Sequence, residues 1–325
     1  MEYAVLLSIG IALLLGGGTL LVQGASRVAS GFGVSPMIVG LTVVAFGTSS
    51  PELVISIVGA LDGQSAIAFG NVVGSNIANL GLVLGTAALI APFSLHGQLI
   101  QRELPLLLLA TCKLVILALD GSLRGLPSVF DRSDGLVLLC MFTIFIYVSV
   151  RDVLRQRKDP LLVGAGMVPL GTAGEVSSRD WLMVAAGMLG LAIGGHLTIS
   201  NGAELAAQLG ISKTAVGLVI IAVGTSLPEL ITSLIAAIRN ESDISVGNVV
   251  GSNIFNSLLV LPIGAVITPI SVPAGGVTDL VVSLLFAAAL IPMFLIGSSR
   301  MGRRSGAAFL LIYLIYMSFR ALSGN

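Results

Sequence analysis

Two glutamates, Glu52 and Glu229, stand deep inside apolar sequence. A charged side chain at the centre of a bilayer costs at least about 2.5 kcal/mol on insertion scales. Each carboxylate must therefore face protein, water or a cation. The neighbours fit a cation. Thr48 and Ser49 precede Glu52 by four and three residues, and Thr225 and Ser226 precede Glu229 in the same way. On a helix each trio shares one face. Ser75 and Asn79 are four residues apart, as are Ser252 and Asn256. Pro51 and Pro228 have no amide donor, and their rings disrupt the turn before them. Carbonyls in that turn, those of Ala45 and Ala222 included, can point at an ion instead of the helix ladder. Carboxylate, hydroxyl, amide oxygen and carbonyl are hard ligands. They suit Ca²⁺, Na⁺ or K⁺ and suit Zn²⁺ or Cu⁺ poorly. Two carboxylates balance one Ca²⁺ or two or more monovalent ions, and they can also take up protons.

The other polar residues have plainer readings. Gly40, Gly47, Gly70, Gly74, Gly217, Gly224, Gly247 and Gly251 suit close helix packing. Asn71 and Asn248 suit structural hydrogen bonds. Asp62, Glu241 and Asp243 fall at helix ends, where water reaches them. Lys113 either snorkels outward or pairs with Asp120. His96 and His196 have no Cys or His partner nearby in sequence, which argues against a transition-metal site.

The elements that hold these residues must lie in a membrane. Of 325 residues, 55% are hydrophobic and 10% charged, and the mean hydropathy is +1.04. A soluble domain carries about 25% charged residues. Net charge is zero, so nothing points to nucleic acid; the expected partners are ions and the lipid bilayer. Cys112 and Cys140 lie in apolar runs and read as small packing residues. The first apolar stretch, from Tyr3 to about Val22, is long enough to be a retained helix rather than a cleaved signal.

A spanning helix needs about 20 apolar residues. That rule predicts ten spans, near 3–24, 36–60, 65–90, 104–120, 135–150, 181–200, 213–238, 243–268, 277–297 and 306–321. The polar stretch from Arg151 to Asp180 divides them five and five. With ten spans, eleven Lys and Arg residues fall on one side and four on the other, Lys113 lying within a span. The richer side is cytoplasmic. Both termini are then expected outside and the central loop inside.

The halves repeat. GLTVVAFGTSSPELVIS (40–56) aligns with GLVIIAVGTSLPELITS (217–233), and SAIAFGNVVGSNIANL (65–80) with SDISVGNVVGSNIFNS (242–257). Both alignments share one offset of 177 residues, without a gap, and 23 of the 41 pairs from Val39 to Asn79 are identical. Five helices is an odd number, so the second copy must enter the membrane from the opposite side. The expected fold is all-α and integral to the membrane, with ten helices in two inverted five-helix repeats: 1–150, a cytoplasmic linker 151–180, and 181–325. Inverted repeats with interrupted helices are a transporter architecture.

At these motifs the sequence resembles the calcium/cation antiporter superfamily, the family of the sodium/calcium exchangers, and its prokaryotic members in particular. GTSSPE (47–52), GTSLPE (224–229) and the two GNVVGSNIxN segments match its α-repeats. The resemblance implies that Glu52, Glu229, Thr48 and Thr225 hold Ca²⁺. It implies that Ser49, Ser226, Ser75, Ser252, Asn79, Ala45 and Ala222 complete Na⁺ sites, and that the first helix of each half slides to alternate access. Some members carry Asp where this chain has Asn256, so this site has two carboxylates and no third. The expected function is antiport of Ca²⁺ against Na⁺ or H⁺ in the plasma membrane, with no cofactor. Other cation antiport (Na⁺/H⁺ or Mn²⁺/H⁺), K⁺-dependent exchange, a channel and an intramembrane enzyme are the alternatives. An enzyme would need a nucleophile or histidine beside the carboxylates, and the motifs offer neither.

Overall fold

A computed structural model describes residues 2–94, 102–156, 176–208, 224–295 and 300–322. In chain order the helices are α1 (Glu2–Phe32), α2 (Pro36–Thr48), α3 (Ser50–Leu61), α4 (Ser65–Ile90), α5 (Leu104–Arg124), α6 (Arg132–Gln156), α7 (Ser178–Gln208), α8 (Leu227–Ile238), α9 (Ser242–Ile267), α10 (Gly276–Leu295) and α11 (Arg303–Leu322). Seven of them, α1, α4, α5, α6, α7, α9 and α11, are long and apolar enough to cross a membrane. An eighth span results if α2 and α3, separated by a break at Ser49, count as one. The apolar helices Leu227–Ile238 and Gly276–Pro292 are shorter. Residues 157–175, most of the linker, lie outside the described residues, as does the start of the seventh expected span.

Burial sorts the helices. In their most apolar windows α4 and α9 are 72% and 78% buried, whereas α1, α5, α6, α7 and α11 are 33% buried or less. The outer helices expose large apolar side chains such as Leu109, Ile116, Leu314 and Ile315, which is the surface a hydrocarbon solvent requires. The two helices that carry the GNVVGSNI motifs are thus the protected ones.

The chain divides into two compact units that cut across the sequence halves. The first comprises Met1–Thr48 and Ile144–Gly251, the second Ser49–Thr143 and Ser252–Asn325.

In the first unit, α1 and α7 approach through glycines. A methyl group at Gly17 would lie 2.8 Å from the Leu191 amide and 2.9 Å from the Gly187 carbonyl. One at Gly187 would lie 2.8 Å from the Gly17 carbonyl, and one at Gly10 3.1 Å from the Gly194 carbonyl. Farther along, Gly24 faces Val184 and Asp180. Ascending positions on α1 thus meet descending positions on α7, and the two helices run antiparallel. Gly10 and Gly17 correspond to Gly187 and Gly194 at the 177-residue offset, so the same contact is made twice. Around it packs an apolar core that includes Leu14, Leu21, Val28, Val44, Val184 and Leu191. Gly40, Gly247 and Gly251 join α2 to α9: a methyl at Gly251 would stand 2.6 Å from the Leu41 carbonyl. At one end of α1, Ser26 donates to Glu241 at 2.8 Å, so that carboxylate is more than a solvated helix end.

In the second unit α4 packs on α11, where Gly81 faces Tyr313 and Gly85 faces Gly306. Asp279 on α10 takes Arg320 Nε and Nη2 of α11, both at 3.0 Å, and the Tyr316 hydroxyl. Two short antiparallel pairs join distant segments: β1 (Phe93–Ser94) with β4 (Arg300–Met301), and β2 (Val129–Phe130) with β3 (Ile270–Ser271). Two-residue strands are too short to leave an alternation pattern in sequence.

Two expectations need correction. Asp120 pairs with Arg124 at 2.9 Å, one helical turn away, rather than with Lys113. The second concerns the Glu-bearing turns, described next.

Candidate functional site

The sequence reading put Thr48, Ser49 and Glu52 on one face of one helix. The chain instead breaks there. Thr48 is the last residue of α2, Ser49 is non-helical (φ −85°, ψ 4°), and Glu52 lies in the first turn of α3. Ser226 repeats the geometry (φ −85°, ψ 6°) before α8, with Glu229 in that helix's first turn. The physical cause is Pro51 and Pro228. Proline is tolerated in a first turn, where amides lack partners anyway, but not in a helix interior. The Ser49 and Ser226 carbonyls take the first helical bonds, from Leu53 at 3.1 Å and Leu230 at 2.9 Å. Each glutamate therefore sits at a helix start, whose partial positive charge offsets part of its own. Thr48 ends α2, where carbonyls present the negative pole that favours a cation. Both glutamates are fully buried, at 0% exposure.

In the first unit the structure brings Thr48, Asn248 and Glu229 together. The Thr48 hydroxyl is 3.0 Å from Asn248 Oδ1 and 3.3 Å from the Ala45 carbonyl, and its one proton is shared between these two acceptors. Asn248 Nδ2 donates to the Glu229 carbonyl at 3.4 Å and to Ser233 Oγ at 3.0 Å. Ala45, Thr48, Thr225, Ser226 and Glu229 are all buried, and Ser226 Oγ has no hydrogen-bond partner among the described residues. Ala222 lies outside them.

In the second unit Asn71 Nδ2 donates to the Glu52 carbonyl at 3.1 Å and to Ser56 Oγ at 3.0 Å. This is the Asn248 arrangement again, each partner displaced by 177 residues. Asn71 and Asn248 thus pin the start of each Glu-bearing helix through its backbone, a structural role. Ser49, Ser75, Asn79, Ser252 and Asn256 are buried here too. Asn79 and Asn256 each open a π-helical stretch, Asn79–Leu84 in α4 and Asn256–Val260 in α9. Such bulges collect at functional sites. The side-chain oxygens of Asn79 and Asn256 have no hydrogen-bond partner among the described residues. A buried amide oxygen without a donor is costly, and a hard cation is one group that satisfies it.

Sequence reasoning missed Asn76 and Asn253. Asn76 Nδ2 donates to Ser257 Oγ at 3.0 Å, Asn79 Nδ2 to Asn253 Oδ1 at 3.0 Å, and Asn253 Nδ2 to the Asn76 carbonyl at 3.2 Å. The available signal was an amide beside each motif serine, buried in an apolar helix and repeated at the same offset.

The family model for "Sodium/calcium exchanger protein" matches residues 2–151 and 179–322. The chain belongs to the sodium/calcium exchanger family. It is therefore a multi-pass membrane transporter and not an enzyme, of a family that carries Ca²⁺ and Na⁺ as cargo and uses no cofactor. The exchanger is 38% identical to the inner membrane protein YrbG of Escherichia coli, over 81% of this chain and 79% of that one. It is 35% identical to the putative antiporter CaxA of Alkalimonas amylolytica, over 95% of each. Among solved structures it is similar to the sodium-calcium exchanger NCX_Mj, with a TM-score of 0.83, 29% identity and 98% of each chain covered.

Proposed function

We propose that this exchanger moves Ca²⁺ across the plasma membrane against Na⁺ by alternating access, with Glu52 and Glu229 as its charge-bearing ligands. Thr48 and Thr225 join them on Ca²⁺. Ser49, Ser226, Ser75, Ser252, Asn79, Asn256 and the Ala45 and Ala222 carbonyls serve Na⁺. One observation carries the reading: two fully buried glutamates occupy the same local frame, each in the first turn of a helix that starts at a Ser–x–Pro break and is pinned by an equivalent asparagine. A structural acid needs no such duplicate, whereas a carrier that exposes one site to either side does. The family match and the likeness to NCX_Mj support Ca²⁺ and Na⁺ as the cargo. The test is radiolabelled Ca²⁺ uptake into reconstituted vesicles, with Na⁺ and pH gradients imposed one at a time. An outward Na⁺ gradient is expected to drive uptake. Uptake driven by the pH gradient alone would make H⁺ the counter-ion, and flux without coupling would make the protein a channel.

The topology in this proposal is ten helices in two inverted sets, with both termini outside and the loop 151–180 in the cytoplasm. The antiparallel pairing of the equivalent helices α1 and α7 supports it, as does the Lys/Arg bias. Cysteines placed at Arg157 and at the C-terminus should label from opposite sides of the membrane. Labelling from the same side would remove the inverted arrangement, because an odd number of spans must separate them.

A further inference from the structure

We propose that Asn253 is a positioning residue for ion binding, which turns the Asn79 amide so that its oxygen, and not its nitrogen, is presented to the cation. The inference rests on the reading of Asn79 as a ligand. An asparagine side chain has two faces of nearly equal shape, one donor and one acceptor. A cation is attracted to the oxygen and repelled by the NH₂, so an amide free to flip is a poor ligand half of the time. Here the flip is decided by a relay that ends on the backbone. The Asn76 carbonyl can only accept. Asn253 must therefore give it the NH₂, at 3.2 Å. That leaves Asn253 Oδ1 toward Asn79, which must answer with its own NH₂, at 3.0 Å. Asn79 Oδ1 is then the one atom of the relay left over, fully buried and without a hydrogen-bond partner among the described residues. Reversing any amide in the chain would set NH₂ against NH₂ or oxygen against oxygen.

The relay is not a by-product of the duplicated motif, because its counterpart is absent. At the 177-residue offset Asn256 Nδ2 would donate to Asn76 Oδ1, yet both atoms lack a hydrogen-bond partner among the described residues. Asn76 gives its NH₂ to Ser257 Oγ at 3.0 Å instead, and the first repeat has Leu80 where the second has Ser257. Among the described residues, one amide of the pair is held by the protein and the other is not.

The experiment is a double-mutant cycle read as Na⁺ and Ca²⁺ half-saturation in vesicle flux. Asn253→Leu, of similar size but with no acceptor, is expected to raise the half-saturation concentrations about tenfold and to leave maximal flux within about twofold. Asn79→Ala should weaken binding at least as much. The double variant should be no worse than Asn79→Ala alone, because Asn253 acts only through Asn79. A further loss in the double variant, or unchanged affinity in Asn253→Leu, overturns the proposal. Unchanged affinity in Asn79→Ala removes Asn79 as a ligand and the proposal with it, while wild-type exchange is judged separately by its response to the Na⁺ gradient. If the leucine variant does not fold, Asn253→Ala carries the same cycle.

Discussion

Glu52→Gln and Glu229→Gln are each expected to abolish Ca²⁺ transport, with at least about a 100-fold loss of Ca²⁺ affinity, while the protein stays folded and inserted. Both side chains are wholly buried. In the proposed mechanism two carboxylates compensate a divalent ion, and either change removes half of the compensating charge where water cannot replace it. Glutamine keeps the shape and one oxygen, so packing is preserved and charge alone is tested. The helix starts are also safe: Asn71 and Asn248 hold them through the Glu52 and Glu229 carbonyls, which the substitution leaves in place. The checks are Ca²⁺ flux in vesicles and Ca²⁺ binding by calorimetry, with gel filtration in detergent to show that each variant is folded. Normal Ca²⁺ flux in either variant would remove that residue from the ion site.

The second large effect is competition. Ca²⁺ affinity is expected to fall as Na⁺ is raised and to fall again as pH is lowered, whichever ion is the physiological counter-ion. The reason, in the proposed mechanism, is shared ligands. Na⁺ and Ca²⁺ both seek carboxylate oxygen, and a proton on either carboxylate removes the charge that Ca²⁺ needs. The sign is therefore the same for both competitors. Antiport follows, since a carrier loaded with either cation crosses more easily than one with two bare carboxylates. Asn256→Asp adds a third acid near these ligands in sequence pattern and should make the pH dependence steeper. Calorimetric titration of Ca²⁺ across Na⁺ concentration and pH measures all three. Affinity indifferent to both Na⁺ and pH would mean that the ions use separate sites, and the shared-ligand exchange would have to be abandoned.

The buried polar residues were legible in the sequence because a membrane makes polar residues conspicuous. Glu52 and Glu229 could not be accidental in apolar runs, and the 177-residue repeat told which of their neighbours belonged with them. Length and apolarity likewise marked where helices lie, because the rise per residue and the bilayer thickness leave little choice. Hydrophobic pattern does not report where a backbone stops being helical. Pro51 and Pro228 signalled a disturbance, and only the fold shows it as a full break at Ser49 and Ser226, with each glutamate in a new helix.

Partners far apart in the chain were also beyond the sequence. Composition could mark Asn71 and Asn248 as hydrogen bonders, but their bonds to the Glu52 and Glu229 carbonyls depend on how helices cross. The glycines make the same point. Motif spacing marks Gly247 and Gly251 as packing residues, but only the fold shows that they press on α2, because contact is a property of the partner surface. The sequence by itself determined which oxygens are buried in the membrane and that they come in two sets. The tertiary structure decided which way they point, as at Asn79, whose orientation is fixed by a hydrogen-bond relay through residues 174 positions away.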